Sequence, residues 1–396
     1  MTTSSKRTGV WILGACGSVS TTTIVGTHAL CAGLTDTTGL VTASPPFDKL
    51  DLLPLESIVF GGYDLSPRDL HERATELANA GIFPSALCPS LRDSLQEVSS
   101  NLLPAPMSPN NRSQSAAEAA AQVTTDLEQF QNRHDLDLVI VINLSSTEPS
   151  LDPHPALSAM KDLRPWLEQL PVENASPGIV YTLGAFDAGC PFINFTPSPG
   201  PEIPSLSELA IQNRLPHAGK DGKTGETLVK TCLAPLFLAR NLKVLSWEGT
   251  NLLGGGDGHT LKDPDSCRTK TRSKDRALRT LLQDPSVHSG VHIHYVPSLS
   301  DWKTAWDFIH FEGFMGTRMT LQFTWQGCDS ALAAPLVIDL IRLVHRAYQE
   351  NLSGPLGHLA PFFKDPIGFS GHDFARQMDA LYRSLLPPEP SPKRVP

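Results

Sequence analysis

A short apolar strand near the start of the chain runs directly into a glycine turn and then a helix. Residues 10–13 are apolar and rich in strand formers, Gly14 and Gly17 follow at once, and residues 21–34 are amphipathic with a helical period. A strand, a glycine turn and a helix in this order open an α/β unit. This opening limits the fold of the first part of the chain more than any other feature of the sequence.

Further segments continue the alternation of strands and helices. Residues 57–62 are an apolar run that ends in glycines, and residues 68–80 and 116–131 have helical patterns. Residues 138–143 are continuously apolar, which is typical of a strand buried on both faces of a parallel sheet. The alternation predicts a Rossmann-type, doubly wound parallel sheet in the α/β class.

The character of the chain changes at Asp221, where glycine, lysine, threonine and aspartate begin to cluster. Residues 292–296 and 319–325 resemble strands of a second sheet, and residues 332–348 form a strong amphipathic helix. We therefore expect an inserted α+β domain. The predicted boundaries are a Rossmann domain at 8–220 completed by 330–386, the inserted domain at 221–330, and a flexible tail at 387–396.

Composition excludes several classes of protein. The formal net charge of -9 disfavours a general nucleic-acid binder, which needs a basic surface. The seven cysteines are odd in number and no pair is spaced Cys-x-x-Cys, so neither a disulfide framework nor a structural zinc site is expected. No apolar run approaches the ~20 residues of a membrane span. A cytoplasmic protein with no membrane partner is the expectation.

The glycine turn predicts a dinucleotide site. Gly14 and Gly17 let the backbone approach a pyrophosphate at a helix N-terminus. Cys16 and Ser20 stand where the fingerprint has its second and third glycines. An ordinary tight strand–helix turn therefore stays open as the alternative.

Asp64 follows the second apolar run and is the candidate partner of an adenosine ribose. A carboxylate at this strand end favours NAD over NADP. Its separation from Gly14 exceeds the usual ~20 residues, so residues 35–56 would have to loop out. The alternative is that Asp64 only caps the helix that begins near Pro67.

Three later stretches carry a family resemblance. Their positions are residues 221–227, residues 254–258 followed by Lys270 and Lys274, and residues 300–303 followed by 328–340. In order and spacing they resemble the inositol-phosphate synthases, which convert glucose 6-phosphate to inositol phosphate. The chain departs from that pattern at Gly255 and Gly256, where two asparagines are common, and at Lys220 and Glu226.

The resemblance implies an NAD-dependent reaction without net redox: oxidation at C5, enolisation, intramolecular aldol closure and re-reduction. It implies Lys270 as the proton carrier at the C5 oxygen, positioned by Asp221. Lys303 and Lys274 would hold the phosphate and nearby oxygens, and Lys364 would stabilise the C1 oxyanion. It also implies a homotetramer, assembled through the inserted domain that carries catalysis.

The same resemblance assigns two sets of binding residues. The cofactor set is Gly14, Gly17, Ser18, Asp64, Ser145, Thr147, Asp257 and Asp329. The set for the substrate phosphate is Thr224, Gly225, Glu226 and Thr227.

Some alternatives to this assignment remain. No metal site is predicted, because His288, His292 and His294 lack acidic partners at ligand spacing and are expected on a strand face. Whether an unidentified cation assists stays open. The rival functions are a sugar-phosphate dehydrogenase that never closes the ring, a cyclase for a related sugar phosphate, and a non-catalytic NAD-binding regulator.

Overall fold

The computed structural model describes residues 7–107, 114–254, 281–282, 284 and 286–386. The predicted site residues Asp257, Lys270 and Lys274 and the predicted tail at 387–396 lie outside these residues. The strands are β1 (Thr8–Leu13), β2 (Ile58–Asp64), β3 (Leu102–Pro104), β4 (Leu138–Asn143), β5 (Phe192–Asn194), β6 (Pro216–Gly219), β7 (Lys243–Leu253), β8 (His288–Tyr295), β9 (Trp302–Glu312), β10 (Arg318–Cys328) and β11 (Gly354–Pro355). The helices are α1 (Ser18–Cys31), α2 (Leu70–Asn79), α3 (Leu87–Ser90), α4 (Arg92–Ser99), α5 (Ala116–His134), α6 (Met160–Gln169), α7 (Pro177–Asp187), α8 (Pro204–Gln212), α9 (Glu226–Ala239), α10 (Asp329–Gln349) and α11 (Phe374–Leu385).

Seven strands form a parallel sheet in the order β11-β6-β5-β4-β1-β2-β3. Side chains of β1 alternate between its two faces, so Val10 and Ile12 join the core under α1 and α10. Trp11 and Leu13 join the core under α5 and α7. Since both faces are covered by helices, every residue of β1 is buried. The predicted Rossmann-type fold is confirmed.

The order of the sheet reverses direction between β1 and β4. The chain builds outward from β1 through β2 and β3 on one side, and from β4 through β5 and β6 on the other. Such a switch point leaves a crevice at the carboxyl ends of the strands, where ligands bind. Gly14 sits in this crevice with φ +80°, and a Cβ there would lie 3.0 Å from Ser145 Cα. Only glycine fits both the backbone conformation and the space.

A second sheet has the order β10-β9-β7-β8 and mixes parallel and antiparallel pairs. One face packs on α9 through an apolar cluster that includes Phe237, Trp247 and Ile309. The expected strands at 292–296 and 319–325 both belong to this sheet, but they lie in its two edge strands, β8 and β10. The strands between residues 243 and 328 therefore build a separate sheet, whereas β11 returns to the first one.

The chain returns to the first core through α10, which follows β10 without a break. The helix predicted at 332–348 is confirmed and begins three residues earlier, at Asp329. Val337, Ile341 and Val344 pack in the same core as Ile24 and Val25 of α1. Within the described parts of the chain, no helix is long and apolar enough to cross a membrane.

The excursion between α1 and β2 is held against α10. The carboxylate of Asp339 accepts hydrogen bonds from the backbone of Val41 (2.7 Å) and from the backbone of Thr42 (3.1 Å). Arg342 donates from Nε to the carbonyl of Leu53 (3.1 Å). These contacts fold the additional residues against α10, which accounts for the long separation of Asp64 from Gly14.

His217 is a polar residue in the interior of the first sheet. It lies on β6, is fully buried, and neither ring nitrogen has a hydrogen-bond partner. Burial lowers its pKa to about 4. In the unfolded chain the imidazole of His217 takes up a proton near pH ~6.5. In the folded chain it does so only near its lower pKa. This residue therefore weakens the folded state progressively as pH falls from about 6.5 towards 4.

We expect His217→Leu to raise the melting temperature, and to raise it more at pH 5 than at pH 7. At pH 5 the proton linkage alone corresponds to about 2 kcal/mol, at 1.36 kcal/mol per pKa unit. Thermal unfolding of both proteins between pH 5 and 7 measures the difference. His71→Leu, at a partly exposed position on α2, is the control. Melting curves of variant and wild type that shift in parallel with pH would contradict the assignment.

Candidate active site

A cavity of about 300 Å³ lies at the switch point of the first sheet and reaches the end of the second. Its walls come from the glycine turn, the loops after β4 and β5, the start of β9 and the first turn of α10. The sequence-predicted residues that line it are Gly17, Ser18, Ser145, Thr147, Asp221, Thr224, Lys303, Asp329 and Lys364. The fold thus brings together residues that lie more than 300 positions apart in the chain.

The glycine turn delivers the N-terminus of α1 to this cavity. Gly17 caps the helix, and its amide donates to the carbonyl of Gly14 at 3.0 Å. The hydroxyl of Ser20 donates to the same carbonyl at 2.7 Å. Ser20 therefore holds the turn closed with its hydroxyl, although the common fingerprint has a glycine at this position. The helix N-terminus is suited to an anionic group.

Asp64 ends β2 beside this turn, just outside the cavity wall. Its carboxylate accepts hydrogen bonds from the amide of Cys16 at 2.9 Å and from the amide of Ser66 at 3.2 Å. The N-cap of α2 is Asp69, which accepts from the amide of Glu72. The alternative that Asp64 only caps this helix is therefore wrong. A carboxylate next to the turn, an open helix N-terminus and the switch-point crevice together fit NAD.

Lys364 and Asp221 form a buried ion pair in the cavity wall. Nζ of Lys364 lies 2.7 Å from Oδ1 of Asp221, and the two side chains are 11% and 5% exposed. The backbone amide of Lys364 also donates to the carbonyl of Asp221 at 2.7 Å. The family resemblance implied Lys270 as the partner of Asp221, and Lys270 lies outside the described residues. In the part of the chain that is described, the lysine partner of Asp221 is Lys364.

Lys303 and Asp329 form a second pair. Nζ of Lys303, near the start of β9, lies 3.5 Å from Oδ2 of Asp329, the first residue of α10. The register of the β9–β10 hairpin pairs Lys303 with Gly327, which brings the two side chains to one end of the sheet. The lysine is 11% exposed and its partner 39%. Both lysines thus have a carboxylate that holds the ammonium group in position.

The fold places the residues predicted to bind phosphate in different environments. Thr224 lines the cavity, while Thr227 is buried in the first turn of α9 and Gly225 lies just before it. The carboxylate of Glu226 faces away, and its Oε1 lies 2.6 Å from Nζ of Lys230. Nζ of Lys230 also lies 3.0 Å from Asp307 on β9. The expectation that Glu226 binds phosphate is corrected: it belongs to an ion cluster that fastens α9 to the second sheet.

Asp301 and Lys223 were not identified from the sequence. Asp301 accepts hydrogen bonds from the hydroxyls of Ser18 (2.9 Å) and Ser330 (2.7 Å), so it joins the starts of α1 and α10. The motif around Lys303 contained this residue and could have indicated it.

Lys223 is 2% exposed and donates to Oε1 of Gln377 at 2.5 Å. Burial lowers its pKa to about 7. Its signal was hidden, because it contacts α11, which is more than 150 residues away.

The histidines of the second sheet occupy exposed strand positions. His288 and His292 both approach the carboxylate of Glu248, at 2.8 Å and 3.2 Å. Across the described residues, no group of three or more side chains of the usual ligand types is placed to hold a metal ion.

Comparison with known proteins gives a consistent picture. The family model described as myo-inositol-1-phosphate synthase matches residues 8–385. Inositol-3-phosphate synthase 1 of Bacteroides thetaiotaomicron is 31% identical over 402 aligned positions, which cover 94% of this chain and 91% of that protein. Inositol-3-phosphate synthase 1 of Populus euphratica is 30% identical over 78% of this chain, and the match spans 64% of the plant protein's length.

A solved structure shares the fold. The inositol-3-phosphate synthase of Caenorhabditis elegans superposes with a TM-score of 0.83 at 22% identity, covering 96% of this chain and 85% of that one.

We expect Lys364→Met to destabilise the protein by about 3 kcal/mol, because it removes the ammonium group that lies 2.7 Å from the buried carboxylate of Asp221. Lys303→Met should cost less, since Asp329 is more exposed. In the double variant Asp221→Asn/Lys364→Met, part of the stability should return. Denaturant unfolding of the wild type, the two lysine variants, Asp221→Asn and the double variant tests this. Equal losses for the two lysine variants, or additive losses in the double variant, would contradict the buried pair.

Proposed function

The chain belongs to the myo-inositol-1-phosphate synthase family, and on that premise we propose that it converts glucose 6-phosphate into a myo-inositol phosphate. The observation that carries the proposal is one cavity holding a dinucleotide turn together with two carboxylate-positioned lysines. A protein that only binds NAD has no need for this second feature.

NAD would supply the hydride acceptor for oxidation at C5 of the sugar phosphate and, as NADH, the donor for reduction after ring closure, so that there would be no net redox. The glycine turn and the start of α1 would hold the pyrophosphate, and Asp64 the adenosine ribose. Ser145 and Thr147, in the loop after β4, would contact the cofactor within the cavity. These assignments rest on position and on the family resemblance.

The lysines supply the positive charge that this reaction requires. Oxidation at C5 acidifies the protons at C6, and negative charge then develops on oxygen during enolisation and again at C1 during the aldol step. An ammonium group fixed by a carboxylate can stabilise that charge without having to reorganise. We assign the C1 oxyanion to Lys364, and the phosphate and nearby oxygens to Lys303 with Thr224. Lys270 and Lys274 would complete the set, with Lys270 as the proton carrier at the C5 oxygen.

We also propose a homotetramer. The face of the second sheet that points away from α9 carries Trp306, which is 42% exposed. The turn between β9 and β10 presents Phe314 and Met315, which are 89% and 87% exposed. Large apolar surface of this kind is usually covered by a partner. The cytoplasmic location stays a prediction.

The deciding experiment is one incubation of purified protein with NAD and glucose 6-phosphate, followed by phosphorus and carbon NMR. We expect an inositol phosphate to form without accumulation of NADH. Lys270→Ala should reduce kcat by at least ~100-fold, because it removes an acid–base group and its charge. NAD affinity should change little in this variant, since the turn that holds the pyrophosphate is intact.

Lys161→Ala, at an exposed position on α6, is the matched control and should keep full activity. Accumulated NADH without cyclic product would indicate a dehydrogenase. Tight NAD binding without turnover would indicate a regulator. If Lys270→Ala kept more than about a tenth of the wild-type kcat, the proton-carrier role would pass to another lysine.

Light scattering should report a tetramer at micromolar concentration, and Trp306→Glu should shift it towards smaller species. A buried charge without a partner in an interface is costly. Leu34→Glu, which places the same charge at an exposed leucine after α1, is the control and should leave the mass unchanged. A monomeric wild-type protein would refute the tetramer.

A further inference from the structure

We propose that Glu76 on α2 is a selectivity residue for the cofactor, because it engages two arginines that would otherwise bind the 2′-phosphate of NADP. The inference rests on the proposed use of NAD and extends it from Asp64 to a residue that does not touch the dinucleotide turn. It concerns the four charged groups Asp64, Arg68, Arg73 and Glu76, which we call the ribose-end cluster.

Cys16 joins this cluster to the glycine turn. Its amide donates to Asp64 Oδ2 at 2.9 Å, and its carbonyl accepts from Nε of Arg73 at 3.2 Å. Nη2 of Arg73 reaches the hydroxyl of Ser18 at 3.0 Å, in the first turn of α1. One guanidinium therefore lies against the turn on the side where Asp64 marks the adenosine ribose. Arg73 also lines the cavity.

Glu76 binds both arginines at once. Its Oε1 accepts from Nη1 of Arg68 at 3.0 Å and its Oε2 from Nη2 of Arg68 at 2.5 Å, a two-point contact. Oε2 also accepts from Nη1 of Arg73 at 2.9 Å. The hydrogen bonds from Arg68 and then Arg73 lower the pKa of Glu76. The carboxylate is therefore ionised at neutral pH.

The charges of the ribose-end cluster determine which dinucleotide it can accept. Arginines beside the ribose are the groups that accommodate a 2′-phosphate in NADP-dependent dinucleotide folds, whereas an acidic residue there selects NAD. This chain has both kinds of residue. With Glu76 present, the ribose-end cluster is neutral overall and both guanidinium groups face a carboxylate. Without Glu76 the cluster would carry a net positive charge, and two arginines would have free donors for phosphate oxygens.

Asp64 and Glu76 are thus expected to act together. While Asp64 is charged, it repels a 2′-phosphate, so release of the arginines raises the affinity for NADP only slightly. While Glu76 is charged, the arginines stay paired with it, so neutralising Asp64 also raises that affinity only slightly. Only loss of both charges should admit NADP. A helix-stabilising role for Glu76 alone predicts no such dependence on Asp64.

The test is a double-mutant cycle on the full chain with Asp64→Asn, Glu76→Gln and the double variant. Glu72→Gln, alone and combined with Asp64→Asn, is the matched control: it removes the same charge from an exposed position on the same helix, four residues earlier. Calorimetry at low salt gives the dissociation constants of NAD, NADP and the fragment 2′,5′-ADP. Low salt is needed because these groups are partly exposed and therefore screened.

We expect the double variant to bind NADP and 2′,5′-ADP at least about tenfold more tightly than the product of the two single effects predicts, the range of a charge-assisted arginine–phosphate contact. The cycle with Glu72→Gln should be additive. Additive effects in the Glu76 cycle, or an equal gain with Glu72→Gln, would overturn the inference while NAD binding stands. A folded wild-type protein that binds no NAD would overturn it together with the cofactor premise.

Discussion

The burial of one face of α10 against the first core is the interaction on which the site depends. Val337, Ile341 and Val344 are almost fully buried beside α1, and each such side chain contributes about 1.5–3 kcal/mol relative to exposure. Because β10 passes into this helix without a break, the packing also fixes the end of the second sheet at the switch point of the first. Asp329 and Ser330, in the first turn of α10, reach the cavity for this reason.

The same packing of elements also sets the positions of the charged side chains in the cavity. Lys364 comes from the segment between β11 and α11 and Lys303 from the start of β9, and each meets a carboxylate from another part of the chain. A neighbouring carboxylate offsets the loss of hydration of a mostly buried ammonium group and fixes its direction. Such fixed charges are what oxyanion chemistry requires, because they need not reorganise when negative charge appears.

Charged groups away from the cavity have a different role. Glu226, Lys230 and Asp307 are all nearly inaccessible to solvent and fasten α9 to β9. Burial raises the pKa of Asp307, and Lys230 opposes that effect. The same motif thus provides Thr224 for the cavity and Glu226 for a structural cluster. The reason is the start of α9, which turns successive side chains in different directions.

Local sequence patterns were enough to predict the class of the first sheet, the glycine turn, the end of β2 at Asp64 and the helix α10. These are local features: an apolar run, a residue that tolerates positive φ, or a helical period is visible within about twenty residues. The resemblance in the later motifs was also visible, because it depends on order and spacing.

The pairing of charged side chains, in contrast, follows from the three-dimensional fold. The pairing of Asp221 with Lys364, the diversion of Glu226 to Lys230 and Asp307, and the hydrogen bonds from Ser18 and Ser330 to Asp301 join side chains from different elements. Their partners are chosen by sheet order, hairpin register and helix direction, which no single segment of the chain encodes.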